Sequence, residues 1–140
     1  MGYSIIIGEA RTCNQCGDYD EHPHYSIDEV TDPRAPADGS PTDRTNERWP
    51  SYGAWSDFTT ETNLRDLFWN ETTGIMREHP GCYPLTGDHA WTIRKAAEDY
   101  EFMLQRTHST DTYQLGRLRW LDWWVRWALD NCEHPSIRNG

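Results

Sequence analysis

The stretch Arg117-Leu118-Arg119-Trp120-Leu121-Asp122-Trp123-Trp124-Val125-Arg126-Trp127-Ala128 decides how this chain folds. On a helical wheel Leu118, Trp120, Leu121, Trp124, Val125, Trp127, Ala128 and the later Cys132 cover well over half the circumference. Charge is confined to a narrow strip of Arg119, Asp122, Arg126 and Asp130. A helix apolar over so much of its surface belongs at the centre of a fold. The pattern predicts it from about residue 111 to Asn131. Each of its indole rings buries on the order of 150–250 Å², so a few aromatic side chains can build the core.

Working outward, Tyr3-Ser4-Ile5-Ile6-Ile7 is aromatic and β-branched and runs into Gly8, which predicts a strand over 3–8. Residues 24–30 alternate Tyr25 and Ile27 with polar neighbours and predict a second strand. The two pair as a hairpin across the turn-forming Cys13-Asn14-Gln15-Cys16-Gly17. Asp88 reads as the N-cap of a helix to about Arg106, with a stripe of Ile93, Ala96, Ala97, Tyr100, Met103 and Leu104. Trp91 and Phe102 fall off that stripe, which predicts packing under another segment. Thr62 reads as the cap of a short helix holding Leu64, Leu67 and Phe68. Pro135 ends the tryptophan helix, and Ser136-Ile137-Arg138 adds a last strand beside residues 3–7. Proline, glycine and small polar residues predict a long surface loop over 31–46 and a second loop over 79–87. The sum is a single α+β domain over 1–140: a small antiparallel sheet of 3–8, 24–30 and 136–138, with two longer helices near 89–106 and 111–131 packed on one face.

Composition narrows the partners. The net charge is −10 over 140 residues, the wrong sign for gripping a phosphate backbone, so nucleic acid is not expected as a partner. One lysine, Lys95, stands against 12 arginines. No basic-flanked leader or membrane-length apolar run is visible, which predicts a cytoplasmic protein with no membrane association and with reduced thiols. Cys13, Cys16, Cys82 and Cys132 then read as metal ligands or core residues before disulfides.

Two constellations point to chemistry. Cys13-x-x-Cys16 with His22 and His24 offers two thiolates and two imidazoles, the donor set of a tetrahedral zinc. The same spacing also fits a turn with two free cysteines, and Cys132 with His134 or Cys82 with His79 are substitute ligand pairs. On the tryptophan helix, Arg119, Trp123 and Arg126, joined by Trp91 and Trp55, form a candidate ligand-binding set. Indole faces stack on bases and guanidinium forks clamp phosphate, so a nucleotide-like small molecule suits them. The competing reading is that the tryptophans simply fill the core. Thr59-Thr60-Glu61-Thr62-Asn63-Leu64 offers hydroxyls before a short helix, either for a polar ligand or merely as a cap. No catalytic motif is present, and the neighbours Glu78-His79 and Asp88-His89 sit in or beside proline- and glycine-rich loops, so no catalytic residue is assigned.

The Tyr3-Ser4-Ile5 strand, the segment Thr62-Asn63-Leu64-Arg65-Asp66-Leu67 and the late aromatic helix running into Cys132-Glu133-His134-Pro135-Ser136-Ile137-Arg138 together resemble small uncharacterised bacteriophage proteins. The resemblance implies a phage origin and a role inside an infected bacterium, with no enzymatic activity attached. It makes a non-enzymatic, counter-defence binding module the leading expectation, with a sequestered nucleotide-derived molecule as ligand. An acidic inhibitor covering a basic face of a host protein, or a small zinc-stabilised module, are the alternatives.

Overall fold

A computed structural model describes residues 1–12, 25–37, 44–110 and 112–140. Its order is β1 (Ile5–Thr12), β2 (Tyr25–Ile27), β3 (Glu47–Arg48), α1 (Tyr52–Glu61), α2 (Arg65–Trp69), β4 (Gly81–Pro84), α3 (Gly87–Thr107), α4 (Tyr113–Asn131) and β5 (Pro135–Asn139). The architecture is α+β, as the sequence predicts. β1 is the hub of an antiparallel sheet. It pairs with β2 through Ala10↔Ile27, with β3 through Ile5↔Arg48 and with β5 through Ile7↔Ile137. β4 completes the sheet against β5, giving the order β2-β1-β5-β4 with β3 joined to β1.

α4 packs its apolar arc on β1 and β5, and α3 packs on α4. Leu118, Trp120, Leu121, Trp124, Val125 and Ala128 are all buried, together with Ile5, Ile7 and Ile137 from the sheet. The three buried tryptophans are held differently. The Trp120 indole N–H donates to the Thr45 carbonyl at 2.7 Å, with the Arg48 guanidinium over its ring. The N–H groups of Trp55 and Trp124 have no acceptor among the described residues. Those two rings are held by packing: Trp55 edge-on to Phe68 at 5.4 Å, and Trp124 edge-on to Trp123 and Trp127.

Residues 31–46 depart from the prediction of a loop with almost nothing to bury. In the described part Ala35 and Asn46 are inaccessible to solvent, and Thr31 bridges Thr45. Asn46 is the reason. Its Oδ1 accepts from Val30 N–H, while its Nδ2 donates to the Ile7 and Asp28 carbonyls at 2.8 and 2.9 Å. Its backbone also bonds Val30 and Ile7. Gly8 makes room for this: a Cβ there would stand 3.0 Å from Ile27 and 3.4 Å from the Asn46 amide. Asp32 adds a second fastening, since the Arg34 guanidinium and backbone N–H hold its carboxyl down at about 2.

Other elements correct the sequence reading. Residues 81–84 form edge strand β4 rather than loop, because Tyr83 packs into the core with Arg77 over its ring, and the flanking prolines need donate nothing to the ladder. Helix α1, unforeseen, starts at Ser51, whose hydroxyl accepts from Ala54 N–H. Thr62 closes α1 rather than opening α2: its N–H and hydroxyl both donate to the Phe58 carbonyl, and Asn63 follows with φ 61°. α3 is capped by Thr86 instead of Asp88, in a reciprocal pair where Thr86 N–H donates to His89 Nδ1 at 3.0 Å. Burial pushes the His89 imidazole down, with Asp88 opposing, which keeps that nitrogen an acceptor. On α3, Met103 is exposed rather than part of a buried stripe, and Trp91 and Phe102 stand in solvent rather than under another segment.

Asn46→Ala removes the partners of the buried Ile7 carbonyl and of the part-buried Val30 N–H and Asp28 carbonyl, so it is expected to cost about 2–4 kcal/mol at roughly 1–3 kcal/mol per orphaned buried group, read as a lower urea midpoint with an unchanged slope. A second expectation concerns pH. A depressed imidazole pKa in the folded state means stability falls as pH drops below the ordinary histidine value of about 6.5. His89→Gln preserves the cap without titrating, so the wild type should lose stability relative to this variant between pH 7.5 and pH 5. Paired thermal melts at the two pH values check it.

Candidate functional site

The five residues proposed from sequence as a ligand set do not converge. Arg119, Trp123 and Arg126 lie on the seam between α3 and α4, but their groups are engaged. Arg119 pairs with Glu101 across the seam at 3.6 Å. Arg126 donates to the nearly buried Asp122 at 3.0 Å, and Arg94 from α3 reaches the same carboxylate at 3.4 Å. Trp123 is half-buried, its ring edge-on to Trp124 at 4.8 Å. Trp55 corrects the expectation outright: it is 0% exposed and offers no face to a ligand. Trp91 is 67% exposed, in a different groove. The physical reason is charge density. In a chain of net charge −10, the carboxylates of α3 and α4 meet the guanidiniums of the same seam before a phosphate can.

The groove that holds Trp91 measures about 320 Å³. Trp91, Lys95, Tyr100 and Met103 of α3 form one wall, and Thr62 and Asn63 from the end of α1 form the other. Those two wall residues belong to the Thr59–Leu64 stretch noted in the sequence, where Thr62 is spent as a cap. Lys95, the basic residue of the lining, lies 3.8 Å from Asp99, and Glu61 adds a second carboxylate. Beyond the groove Phe102 is 60% exposed under the Arg106 guanidinium. The outer surface of α3 is thus apolar and aromatic with mixed, net acidic charge.

A second cluster was not legible in the sequence. His79 Nδ1 and Asn139 Oδ1 are 2.5 Å apart, and His79 Nε2 faces the Tyr52 hydroxyl at 3.3 Å. Asn139 is inaccessible to solvent, and its Nδ2 donates to the Glu78 carbonyl at 3.0 Å. That last bond orients the amide, so Oδ1 faces the ring. His79 Nδ1 must then carry the proton, and Nε2 holds the lone pair that Tyr52 O–H meets. The acid beside His79 in sequence contributes its backbone carbonyl to this chain of bonds. Asp88-His89 likewise resolves into a helix cap. Partners 27 and 60 residues from His79 leave no local signature.

The metal expectation divides. Cys13, Cys16, His22 and His24 lie outside the described residues. The substitute pair of Cys82 and His79 is disfavoured because both His79 nitrogens face Asn139 and Tyr52. Near Cys132, the donor atoms of Glu9, Glu133 and His134 lie within 4.8 Å of one another. The Glu9 carboxylate there is already the cap of the turn after α4, accepting from Glu133 N–H at 3.1 Å and His134 N–H at 2.5 Å. Burial pushes the Cys82 thiol up, and burial with the Glu9 carboxylate does the same to Cys132.

Neither a protein-family model, nor a curated protein, nor a solved structure matches the chain. No helix of the described residues is long and apolar enough to cross a membrane.

With raised thiol pKa values, Cys82 and Cys132 hold little thiolate at neutral pH. Iodoacetamide at pH 7.5 should alkylate each roughly 10-fold or more slowly than in the urea-unfolded chain. Peptide mass spectrometry over a time course reads both rates.

Proposed function

We propose that the chain is a protein-binding module of bacteriophage type, docking a basic segment of a host protein against the outer face of α3. The observation that carries this reading is the solvent exposure of Trp91, Phe102 and Met103 on one 21-residue helix. Large aromatic side chains standing in water are costly for a monomer to keep, and they are the residue types that dominate protein interfaces. The groove beside Trp91 presents Glu61, one oxygen of which accepts from Gln114 at 2.6 Å, and Asp99, 3.8 Å from Lys95, around an apolar floor. That combination suits a lysine or arginine side chain, whose stem packs on the indole while its head meets a carboxylate. The overall charge of −10 favours the same partner by attracting it during encounter.

A nucleotide-derived ligand has less support. Its phosphates would need guanidiniums that Glu101 and Asp122 already engage, and the groove supplies Lys95 beside Asp99. A counter-defence role fits an inhibitor that covers a basic host surface.

The test compares capture from a host lysate by the wild type and by Trp91→Ala/Phe102→Ala. Both positions are exposed, so the variant should keep its melting temperature. Partner proteins retained by the wild type at low salt should be lost from the variant, since each hot-spot aromatic is worth about 2 kcal/mol or more. They should also elute as salt rises toward 0.5 M. Identical capture by the two proteins, or a bound mass of a few hundred daltons in native mass spectrometry, would overturn the reading.

A further inference from the structure

We propose that Tyr52 is an activated nucleophile, with His79 as its general base and Asn139 as the positioning residue, and that it accepts an acyl group from an ester bound in the adjoining groove. Tyr52 is the first residue of α1 and His79 precedes β4, so two separate elements bring the hydroxyl and Nε2 to 3.3 Å. Asn139 on β5 holds the ring in one tautomer through Nδ1. A nucleophile, a base within reach of it and a third group that orients the base are the parts of an acyl-transfer relay. The 3.3 Å separation is at the loose end of the range such pairs show without substrate.

The surroundings suit an ester. Tyr3 packs edge-on against both members, 4.7 Å from Tyr52 and 5.0 Å from His79. It also lines an open groove of about 370 Å³ with Trp49, Pro50, Ser51 and Gly140. Trp49 is 60% exposed and gives a flat aromatic group a face to lie on. Burial and the neighbouring Tyr52 push the Tyr3 phenol up.

The Tyr52 oxygen attacks the ester carbonyl carbon, and its proton passes to His79 Nε2. A new C–O bond to Tyr52 forms, the bond to the leaving alkoxide or aryloxide breaks, and the proton on Nε2 passes to that leaving oxygen. The products are acyl-Tyr52 and a free alcohol or phenol; nothing is oxidised or reduced.

The probe is p-nitrophenyl acetate with the full-length protein, reading p-nitrophenol release and, by peptide mass spectrometry, the acetylated residue. Tyr25 is the internal control, because its exposure of 42% matches the 39% of Tyr52. Acetylation of Tyr52 should exceed that of Tyr25 by roughly 10- to 100-fold, the scale of a positioned base. His79→Gln, at an exposed position, should abolish the preference while leaving Tyr113 acetylation unchanged as a check on folding. For Asn139, Asn139→Leu should lose the preference. Equal rates at Tyr52 and Tyr25, or a Tyr52 rate indifferent to His79→Gln, overturns the proposal.

Discussion

The carboxamide of Asn46 is the joint on which the arrangement depends. It sits beside the middle of β1 with no exposure to solvent, and it satisfies Val30, Ile7 and Asp28 at once. A buried carboxamide in this position acts as a strand would: with the Asn46 backbone carbonyl it bonds the central strand at Ile7. With Asn46 in place, Thr45 and Arg48 are set on either side of it. Thr45 takes the Trp120 indole proton and Arg48 covers the Trp120 ring. A polar segment of irregular backbone thereby becomes the lid of an aromatic core.

The surface is organised by competition for charge. Where α3 and α4 meet, carboxylates and guanidiniums neutralise one another, and Asp122 serves both Arg94 and Arg126. The opposite side of α3 faces the end of α1 across an open groove, and Trp91 and Phe102 stay in water. The same helix therefore has one face that closes the fold and one that is left over. At the other end of the sheet, β5 brings Asn139 to His79, and α1 brings Tyr52. Binding surface and reactive cluster thus arise from different constraints, the first from unspent apolar area and the second from hydrogen-bond geometry.

How much of this was legible in the sequence varied with the range of the forces involved. α3, α4, β1 and β5 follow from periodicity, because a long apolar face or a β-branched run has few other ways to leave water. α1 was missed because Gly53, Ser56, Thr59 and Thr60 are poor helix formers. Its helicity comes from burying Trp55 and Phe58 against the core. β4 was missed because Pro80 and Pro84 read as loop, whereas at a sheet edge they interrupt nothing. Thr62 was recognised as a capping residue, but the end of the helix it caps depended on whether α1 existed. Arg119 reads as a free fork in the sequence because its partner Glu101 lies on another helix, whereas the Arg126 partner Asp122 stands four residues before it on α4 itself.

By itself the sequence determined the fold class, the central tryptophan helix, the acidity and the types of residue available for binding. These are sums or local periodicities, and the hydrophobic effect acts on them without knowing the topology. Only the tertiary structure decided which tryptophans fill the core and which meet solvent, that Asp122 and Glu101 occupy the arginines, and that Tyr52, His79 and Asn139 share one chain of hydrogen bonds. Hydrogen bonds and ion pairs act over a few ångströms and with fixed direction, so their partners exist only once distant segments have been brought together.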